Sequence, residues 1–400
     1  MKIIKNIKED NLMMNIRLTM EELKVLINKI EKAVPKSPSL CILECIRLKA
    51  ANNKLIATAT DCDIELNITQ EAEVLTEGTC YINLTDIKKI LKLKADYLTI
   101  KHQEGDGKIY ISTGKKVITL TAADCEVFPE IDYKSSVLTD FLTIQADQLA
   151  DILKRLSYYV EDSCNNRMLN SFNFNKIHNR IAGVDGKRMA IRNNIEGFNP
   201  NNNNDEVNIQ KDFYIKLERV LKAEGSNYIS IMTSEDNNYI VISGKSFIMA
   251  IQRVSGQYFN VDSMLLRGEY SFTINNIKEL KEAADYDIKL KGNEDKKSLI
   301  LSNIEGIVSC TMSCKNGDSY DILNVTDNEL PEGYSMGFNP QFLSDLCITC
   351  TEDNLHCEMT NNKSPLYVYE KDYTFLILPV NIIATPEEII TAIKKLADAA

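Results

Sequence analysis

The sequence contains no tryptophan and only three histidines, His102, His178 and His356, among its 400 residues. Scarce histidine argues against general acid–base chemistry at neutral pH and against zinc enzymology. The chain also lacks a phosphate-binding glycine loop and a Ser–His or Cys–His arrangement. We therefore expect no catalytic residues, no metal and no cofactor. An enzyme that acts on phosphate substrates through Asp185, Lys187 and Arg188 stays open as a minor alternative.

Long apolar runs are also missing, so no segment is expected to span a membrane. The first residues show neither an apolar core nor a cleavage site of a signal peptide. The eleven cysteines are irregularly spaced, which is typical of reduced thiols in a cytosol. Cys347 and Cys350 form a CxxC-like pair, but the pattern around them favours strand cysteines over a zinc site. We expect a cytoplasmic protein.

Positive charge is in deficit as well, because the formal net charge is -11. Proteins that bind DNA by neutralising many phosphates are usually basic. Any contact of this chain with nucleic acid must therefore be local, weak or topological. The hydrophobic fraction of 44% and charged fraction of 26% indicate a globular protein, and the length suggests two to four domains.

A repeated order of elements organises the chain. A β-α-β-β-β unit occurs twice before residue 131, and the same order returns after residue 139 and again after residue 269. Second-half strands begin near residues 80, 207 and 335, a period of about 127 residues, which outweighs any single motif. We predict an α+β fold with an N-terminal extension (1–13), three repeated domains (14–138, 139–265 and 266–383) and a C-terminal helical extension (384–400).

Helices and their caps follow from residue spacing. Thr19 and Glu22 form a capping box ahead of an apolar helical pattern, and Asn339-Pro340 marks another helix start. The remaining predicted helices are Leu84–Leu93, Ala146–Tyr159, Lys211–Ala223 and Ile277–Ala284.

Two of these helices, Leu84–Leu93 and Lys211–Ala223, carry a net positive charge within an acidic chain. Either they are solvated helix faces or they form a basic surface that faces a polyanion. The DNA-facing candidates, which include one lysine from the segment after the first helix, are Lys36, Lys88, Lys89, Lys92, Lys211, Lys216, Arg219 and Lys222.

Four polar or small residues, Asp185–Arg188, interrupt the apolar stretch Ile181–Ile191, which reads IAGVDGKRMAI. Asp185-Gly186 is a turn signal, because glycine adopts positive φ at no steric cost. A strand, a tight turn and a second strand, with Lys187 and Arg188 at the tip, could be an ordinary hairpin or the rim of a binding site.

Several motifs resemble the bacterial sliding clamp family, the beta subunit of DNA polymerase III. Their order along residues 14–383 carries the resemblance more than any one of them. The motifs are Pro35–Leu43 followed by Lys54–Asp61, Val127–Ile131, Val184–Ala190, Phe338–Leu343 and Leu376–Val380.

The resemblance implies a head-to-tail homodimeric ring, with helices lining the hole and antiparallel sheets outside. Such a ring encircles duplex DNA and tethers a polymerase, and the clamp loader and other partners use the same peptide pocket. Ile118 and Leu120 match the subunit edge of the family. A plasmid-type, phage-type or non-replicative clamp paralogue that serves as a scaffold remains the alternative.

The family binds partner peptides between the second and third domains. By motif, the matching positions here are Leu169, Val184, Gly186, Lys187, Arg188, Met189, Phe259, Ser263, Met264, Leu376, Leu378, Pro379, Val380 and Asn381. Phe259, Ser263 and Asn381 depart from the family pattern, so the pocket is expected to read an altered partner motif. Residues after Ile383 continue beyond the usual family end. They are expected to form a helix that packs on the outer surface or shields the pocket.

Overall fold

The computed structural model describes residues 12–103, 107–114, 116–123, 128–162, 165–293 and 297–382, with Glu388, Ile390 and Thr391. The predicted N-terminal extension therefore lies almost entirely outside the described residues. Of the predicted C-terminal helix only Glu388, Ile390 and Thr391 are described, and these three are helical. Within the described ranges, no helix combines the length and apolarity needed to cross a membrane.

Six helices lie in the described ranges, and their ends follow the capping signals in the sequence. At the first helix, Glu22 N–H donates to Thr19 Oγ1 at 3.1 Å and Thr19 N–H donates to Glu22 Oε2 at 2.7 Å, which confirms the capping box. Asn339 caps the last helix with Pro340 in its first turn, also as predicted. The helices are α1 (Met20–Ile30), α2 (Leu84–Ile90), α3 (Ala146–Leu156), α4 (Asp212–Glu224), α5 (Ile277–Lys291) and α6 (Pro340–Thr349).

Strands make up most of the remaining chain. Those of the first half are β1 (Leu12–Thr19), β2 (Cys45–Ala51), β3 (Lys54–Thr60), β4 (Ile64–Glu71), β5 (Glu73–Thr76), β6 (Gly78–Asn83), β7 (Tyr97–Gln103), β8 (Lys108–Ser112), β9 (Val117–Thr121), β10 (Leu138–Gln145), β11 (Ser171–Asn175), β12 (Arg180–Val184) and β13 (Arg188–Arg192). Those of the second half are β14 (Glu206–Gln210), β15 (Tyr228–Ser234), β16 (Tyr239–Ser243), β17 (Phe247–Gln252), β18 (Tyr270–Ile274), β19 (Leu299–Ile304), β20 (Ile307–Cys314), β21 (Gly317–Ile322), β22 (Val325–Thr326), β23 (Tyr334–Phe338), β24 (Leu355–Met359), β25 (Leu366–Glu370) and β26 (Tyr373–Ile377).

The chain divides into two compact units, and each unit contains two antiparallel sheets. The first unit comprises Met1–Asp151, Glu196–Asn204 and Asp212–Ser255. Its sheets have the strand orders β5-β1-β7-β8-β9 and β10-β15-β16-β17-β4-β3-β2-β6. The eight-stranded sheet joins strands of two successive predicted repeats where β17 pairs with β4.

The second unit comprises Ile152–Ile195, Asp205–Lys211 and Gly256–Ala400. Its sheets have the orders β14-β11-β12-β13-β26-β25-β24-β18-β22 and β21-β20-β19-β23. The nine-stranded sheet again joins two successive repeats, here where β13 pairs with β26. The α+β class and the repeated antiparallel sheets are thus as predicted. The boundaries of three separate domains stay a prediction, since the two units divide the middle repeat.

Some predicted helices differ in extent from those in the structure. The helix predicted over Ala146–Tyr159 ends at Leu156, and Ser157–Tyr159 form a separate 3-10 turn. Another 3-10 turn, Cys41–Glu44, precedes β2. The fifth helix was predicted to end at Ala284 but continues to Lys291, because no helix breaker occurs before Gly292, whose φ is +54°.

The extension of α5 buries a carboxyl group beneath β21. Asp287 is 1% exposed, and Ser319 on β21 donates its hydroxyl to Asp287 Oδ1 at 2.5 Å. Among the described residues, Asp287 Oδ2 has no hydrogen-bond partner. Burial raises the pKa of Asp287 to about 6, the Ser319 hydrogen bond opposes that rise, and Asp321 adds to it.

We predict that Asp287→Asn stabilises the protein at neutral pH. Because the folded-state pKa is raised, wild-type stability is lost as pH rises from about 4 through about 6 and stays lost above that. The variant should therefore gain about 1–3 kcal/mol at pH 7.5 and almost nothing at pH 4. Melting curves at both pH values check this, with the exposed strand residue Asp318→Asn as the matched control. An equal gain at both pH values would contradict the assignment.

Candidate functional site

The Ile181–Ile191 stretch forms a hairpin, as predicted from its Asp-Gly pair. β12 and β13 pair antiparallel, with Val184 opposite Met189. Gly186 has a φ of +81°. Asp185 Oδ1 accepts the backbone N–H of Lys187 at 2.9 Å and of Arg188 at 2.8 Å. The aspartate side chain therefore builds the turn by satisfying the backbone donors at its tip.

Arg188 contributes to the wall of the cavity described below, and its guanidinium is also engaged within the protein. Its Nε donates to Asp185 Oδ2 at 2.8 Å and its Nη1 to Asp345 Oδ2 at 2.6 Å. The guanidinium also lies 4.1 Å from the ring centre of Phe342 and 5.4 Å from that of Tyr159. Burial acts to lower the pKa of Arg188, but the two carboxylates outweigh it and the net direction is upward. Arg188 thus ties the hairpin to α6, and its charge is already compensated.

The neighbouring strand continues the same surface. β13 pairs with β26, so that Met189 lies opposite Leu376. Beyond the strand, Leu378 N–H donates to the carbonyl of Lys187 at 2.9 Å. This bond extends the sheet to the hairpin tip and presents Leu378, which is 38% exposed, beside Lys187.

The linker between β17 and β18, which contains Asp262, Met264 and Leu266, lies beside these strands and is fixed at two points. Arg180 on β12 donates to Asp262 through both terminal nitrogens, at 2.5 and 3.0 Å. Tyr367 on β25 donates its hydroxyl to the carbonyl of Met264 at 3.0 Å and accepts the N–H of Leu266 at 3.3 Å. The bidentate Arg180–Asp262 ion pair and the Tyr367 hydroxyl, which both donates and accepts a hydrogen bond, therefore fix the position of the linker.

These elements enclose a cavity of about 270 Å³ in the second unit. Its walls are mainly aliphatic and sulfur-containing side chains, and no carboxylate lines it. The lining residues are Val184, Gly186, Lys187, Arg188, Met189, Ser263, Met264, Leu266, Pro365, Tyr367, Leu376 and Leu378. A concave apolar surface with a few polar groups is typical of a peptide or ligand site.

The remaining predicted pocket residues lie near the cavity or beyond it. Leu169 approaches Gly186, since a Cβ built on Gly186 would lie 3.9 Å from Leu169 Cδ2. Phe259 is half-buried against Tyr258. Val380 forms a bridge to Gly337. Pro379 and Asn381, which flank Val380, also fall outside the lining.

Three lining residues were missed in the sequence: Leu266, Pro365 and Tyr367. Leu266 is 61% exposed and lies in the linker, where no helical or strand periodicity of apolar residues could have indicated a role for it. Pro365 and Tyr367 lie about a hundred residues beyond the linker that they meet. The residue pattern of β25 was the available signal. It could predict a strand there, but it could not predict that the linker packs against that strand.

Most of the predicted DNA-facing cations are engaged in ion pairs. Lys216 is 5% exposed and binds both Asp61 and Asp212, so its placement on a DNA-facing surface was wrong. The other engaged cations pair as follows: Lys88 and Arg219 with Glu31, Lys89 with Asp86, Lys211 with Asp162, and Lys222 with Glu218. Lys36 and Lys92 are exposed, and neither pairs with a carboxylate among the described residues.

The predicted subunit-edge residues lie on β9, the last strand of the five-stranded sheet. Ile118 and Leu120 are both half-buried on that strand. Within the described ranges, the outer side of β9 has no strand neighbour. The backbone donors and acceptors of that edge are therefore available for pairing.

No group of metal-binding side chains occurs among the described residues. Cys347, Cys350 and Cys357 are all buried. The prediction of strand cysteines was wrong for Cys347, which lies on α6, and for Cys350, which caps that helix. Burial raises the pKa of Cys347 to about 12, so its thiol stays protonated at neutral pH.

We predict that Arg188→Met destabilises the second unit by about 3–5 kcal/mol, because it leaves Asp185 and Asp345 buried without their counter-charge. Urea unfolding followed by circular dichroism measures the loss. The adjacent exposed Lys187→Met is the matched control and should change stability by less than about 0.5 kcal/mol. Adding Asp345→Asn to Arg188→Met should recover part of the loss. Equal stability of Arg188→Met and wild type would contradict the network.

Comparison with known proteins identifies the fold that carries this site. Residues 14–132 match the model of the DNA polymerase III beta subunit, N-terminal domain. The beta sliding clamp of Chlamydia muridarum is 21% identical over 374 residues, covering 92% of this chain and 99% of that protein. The beta sliding clamp of Chlamydia pneumoniae is 23% identical over 385 residues, with coverage of 92% and 99%.

Solved structures extend the likeness to the whole fold. A putative DNA polymerase III beta subunit from Eubacterium rectale superposes with a TM-score of 0.83 at 22% identity, covering 92% of this chain and 100% of that one. A Pseudomonas aeruginosa sliding clamp bound to griselimycin gives a TM-score of 0.81 at 18% identity, with coverage of 92% and 100%. The chain therefore resembles the DNA polymerase III beta subunits over residues 14–132 and shares the fold of the bacterial sliding clamps along 92% of its length.

Proposed function

We propose that the chain works as a processivity factor: a head-to-tail homodimeric ring that encircles duplex DNA and tethers a DNA polymerase. The observation that carries the proposal is the agreement with sliding clamps along 92% of the chain, at a TM-score of 0.83. The role needs no catalytic group of its own, and it places the protein in the cytoplasm with the replication machinery.

The cavity beside the β12–β13 hairpin is the proposed partner-peptide site. Its walls come from the hairpin, the linker and the strands β25 and β26. These elements are held together by main-chain pairing and by the Arg180–Asp262 ion pair, so the site is preformed. Polymerase, clamp loader and other partners would each insert apolar side chains there.

The charge arrangement supports an encircling mode over a gripping one. A ring that slides must avoid tight bonds to phosphates, whose sum makes binding strong and salt-dependent. Lys88 and Arg219 share Glu31, and Lys216 is buried between two aspartates. These ion pairs lower the charge that the first unit can offer to DNA. Lys36 and Lys92 remain the exposed candidates for weak contact with phosphates.

Two sheet edges support the dimer. β9 ends the five-stranded sheet of the first unit, and β21 ends the four-stranded sheet of the second unit. β21 carries Asp318 and Asp321, whereas Lys116 directly precedes β9. Pairing of β9 with β21 of another copy would satisfy both edges and place opposite charges together. It would also produce a continuous sheet comparable in size to the other two.

We predict that Leu120→Arg or Ile322→Arg weakens this dimer. Ile322 is 59% exposed at the end of β21, and a buried arginine without a partner opposes association. Multi-angle light scattering should give twice the chain mass of 45.3 kDa for the wild type. Either variant should raise the dimer dissociation constant by at least about tenfold.

The control is Ile177→Arg, which introduces the same charge at a residue that is 60% exposed in the turn between β11 and β12. It should remain dimeric. A wild-type protein that is monomeric at tens of micromolar would refute the ring, whereas unaffected dimers in both edge variants would refute the choice of edges.

A further inference from the structure

Lys187 occupies a fixed backbone position at the mouth of the cavity. Its N–H donates to Asp185 Oδ1 at 2.9 Å, and its carbonyl accepts the N–H of Leu378 at 2.9 Å. The side chain itself is exposed. The preceding residue, Gly186, contributes no side chain that could shield it. A fixed Cα with a flexible four-carbon stem lets the ammonium reach a ligand at the cavity mouth.

The other polar groups of the lining are already engaged within the protein. Arg188 is compensated by Asp185 and Asp345. The hydroxyl of Tyr367 both donates and accepts a hydrogen bond. Ser263 donates its hydroxyl to the carbonyl of Asn260 at 2.7 Å. Among the described residues, Lys187 is the cation of the lining that has no carboxylate partner.

We propose that Lys187 makes this pocket select peptides that carry a carboxylate next to their apolar anchor side chains. The inference rests on the proposed partner-peptide role of the cavity and adds the chemistry of the partner. A side-chain carboxylate and a C-terminal carboxylate offer the same group to the ammonium. At the edge of an apolar cavity the ion pair is partly shielded from water, which strengthens it.

The net charge of the whole chain, taken alone, predicts that the pocket prefers basic peptides over acidic ones. With a net charge of -11, the protein as a whole repels an acidic peptide. A preference for the acidic peptide therefore has to come from a local cation, and Lys187 is the cation without a carboxylate partner among the described residues of the lining.

The test uses the full-length protein and four synthetic octapeptides with the same leucine and phenylalanine anchors. Three are acetylated and amidated and differ at one flanking residue, which is Asp, Asn or Lys. The fourth is the Asn peptide with a free C-terminal carboxylate. Fluorescence anisotropy measures the affinities at about 50 mM and about 500 mM salt, since screening weakens an exposed ion pair.

We expect the Asp peptide to bind about three- to tenfold more tightly than the Asn peptide at low salt, and the Lys peptide to bind least. The Asp-to-Asn ratio should fall below about twofold at high salt. A gain by the fourth peptide alone would assign the carboxylate to a partner's C-terminus. Lys187→Gln should bring the ratio to one. The matched control Lys278→Gln, on α5, should leave the ratio unchanged.

A further variant separates the charge from the apolar contact. Leu266→Ser should weaken all four peptides by a similar factor and preserve their ratios. Equal affinities for all four peptides in the wild type, or an Asp preference that persists in Lys187→Gln, would overturn the inference while the peptide site stands. Failure of every peptide to bind would overturn the peptide site itself, and the inference with it.

Discussion

The buried guanidinium of Arg188 is the interaction on which the candidate site depends. It lies between Asp185 in the hairpin turn and Asp345 on α6, and it also contacts the rings of Tyr159 and Phe342. In such surroundings each partner needs the others, because a lone buried charge is strongly destabilising. The hairpin, the helix and the strand that pairs with β13 are thereby held in one arrangement. The walls of the cavity beside them are held in place by these contacts, so that under the proposed function a partner peptide would spend little binding energy on ordering them.

Each of the two large sheets is formed by strands that pair across two successive repeats. β17 pairs with β4 in the first unit much as β26 pairs with β13 in the second, so each large sheet combines strands from two successive repeats. A single β-α-β-β-β unit exposes one sheet face and an open edge, and neighbouring repeats cover both. The hairpins next to the two seams differ, however. The first carries Asp61-Cys62-Asp63, whereas the second carries Asp185-Gly186-Lys187 and lines the cavity.

Local signals in the sequence predicted local structure well. Thr19 with Glu22, Asn339 with Pro340, and Asp185 with Gly186 each act within a few residues, and each cap or turn formed as predicted. The period of the repeat predicted the α+β class. Interactions between distant residues could not be read in this way. The ion pair of Arg188 with Asp345 spans 157 positions, and the burial of Lys216 depends on Asp61 in another repeat. For that reason Lys216 was predicted to face DNA, and the pairing of Arg188 with Asp345 was not predicted. Tyr367 and Leu266 were missed because only the folded chain brings the linker against β25.

The central claim is that the protein holds DNA by topology and not by affinity. The direct measurement is its retention on a nicked circular duplex, after loading by the clamp loader, before and after one restriction cut. The account predicts that the protein stays on the circle for many minutes and leaves within seconds once a free end exists, with little effect of moderate salt on the circle. Equal retention on circular and linear DNA, or loss from the circle that follows salt concentration alone, would contradict it.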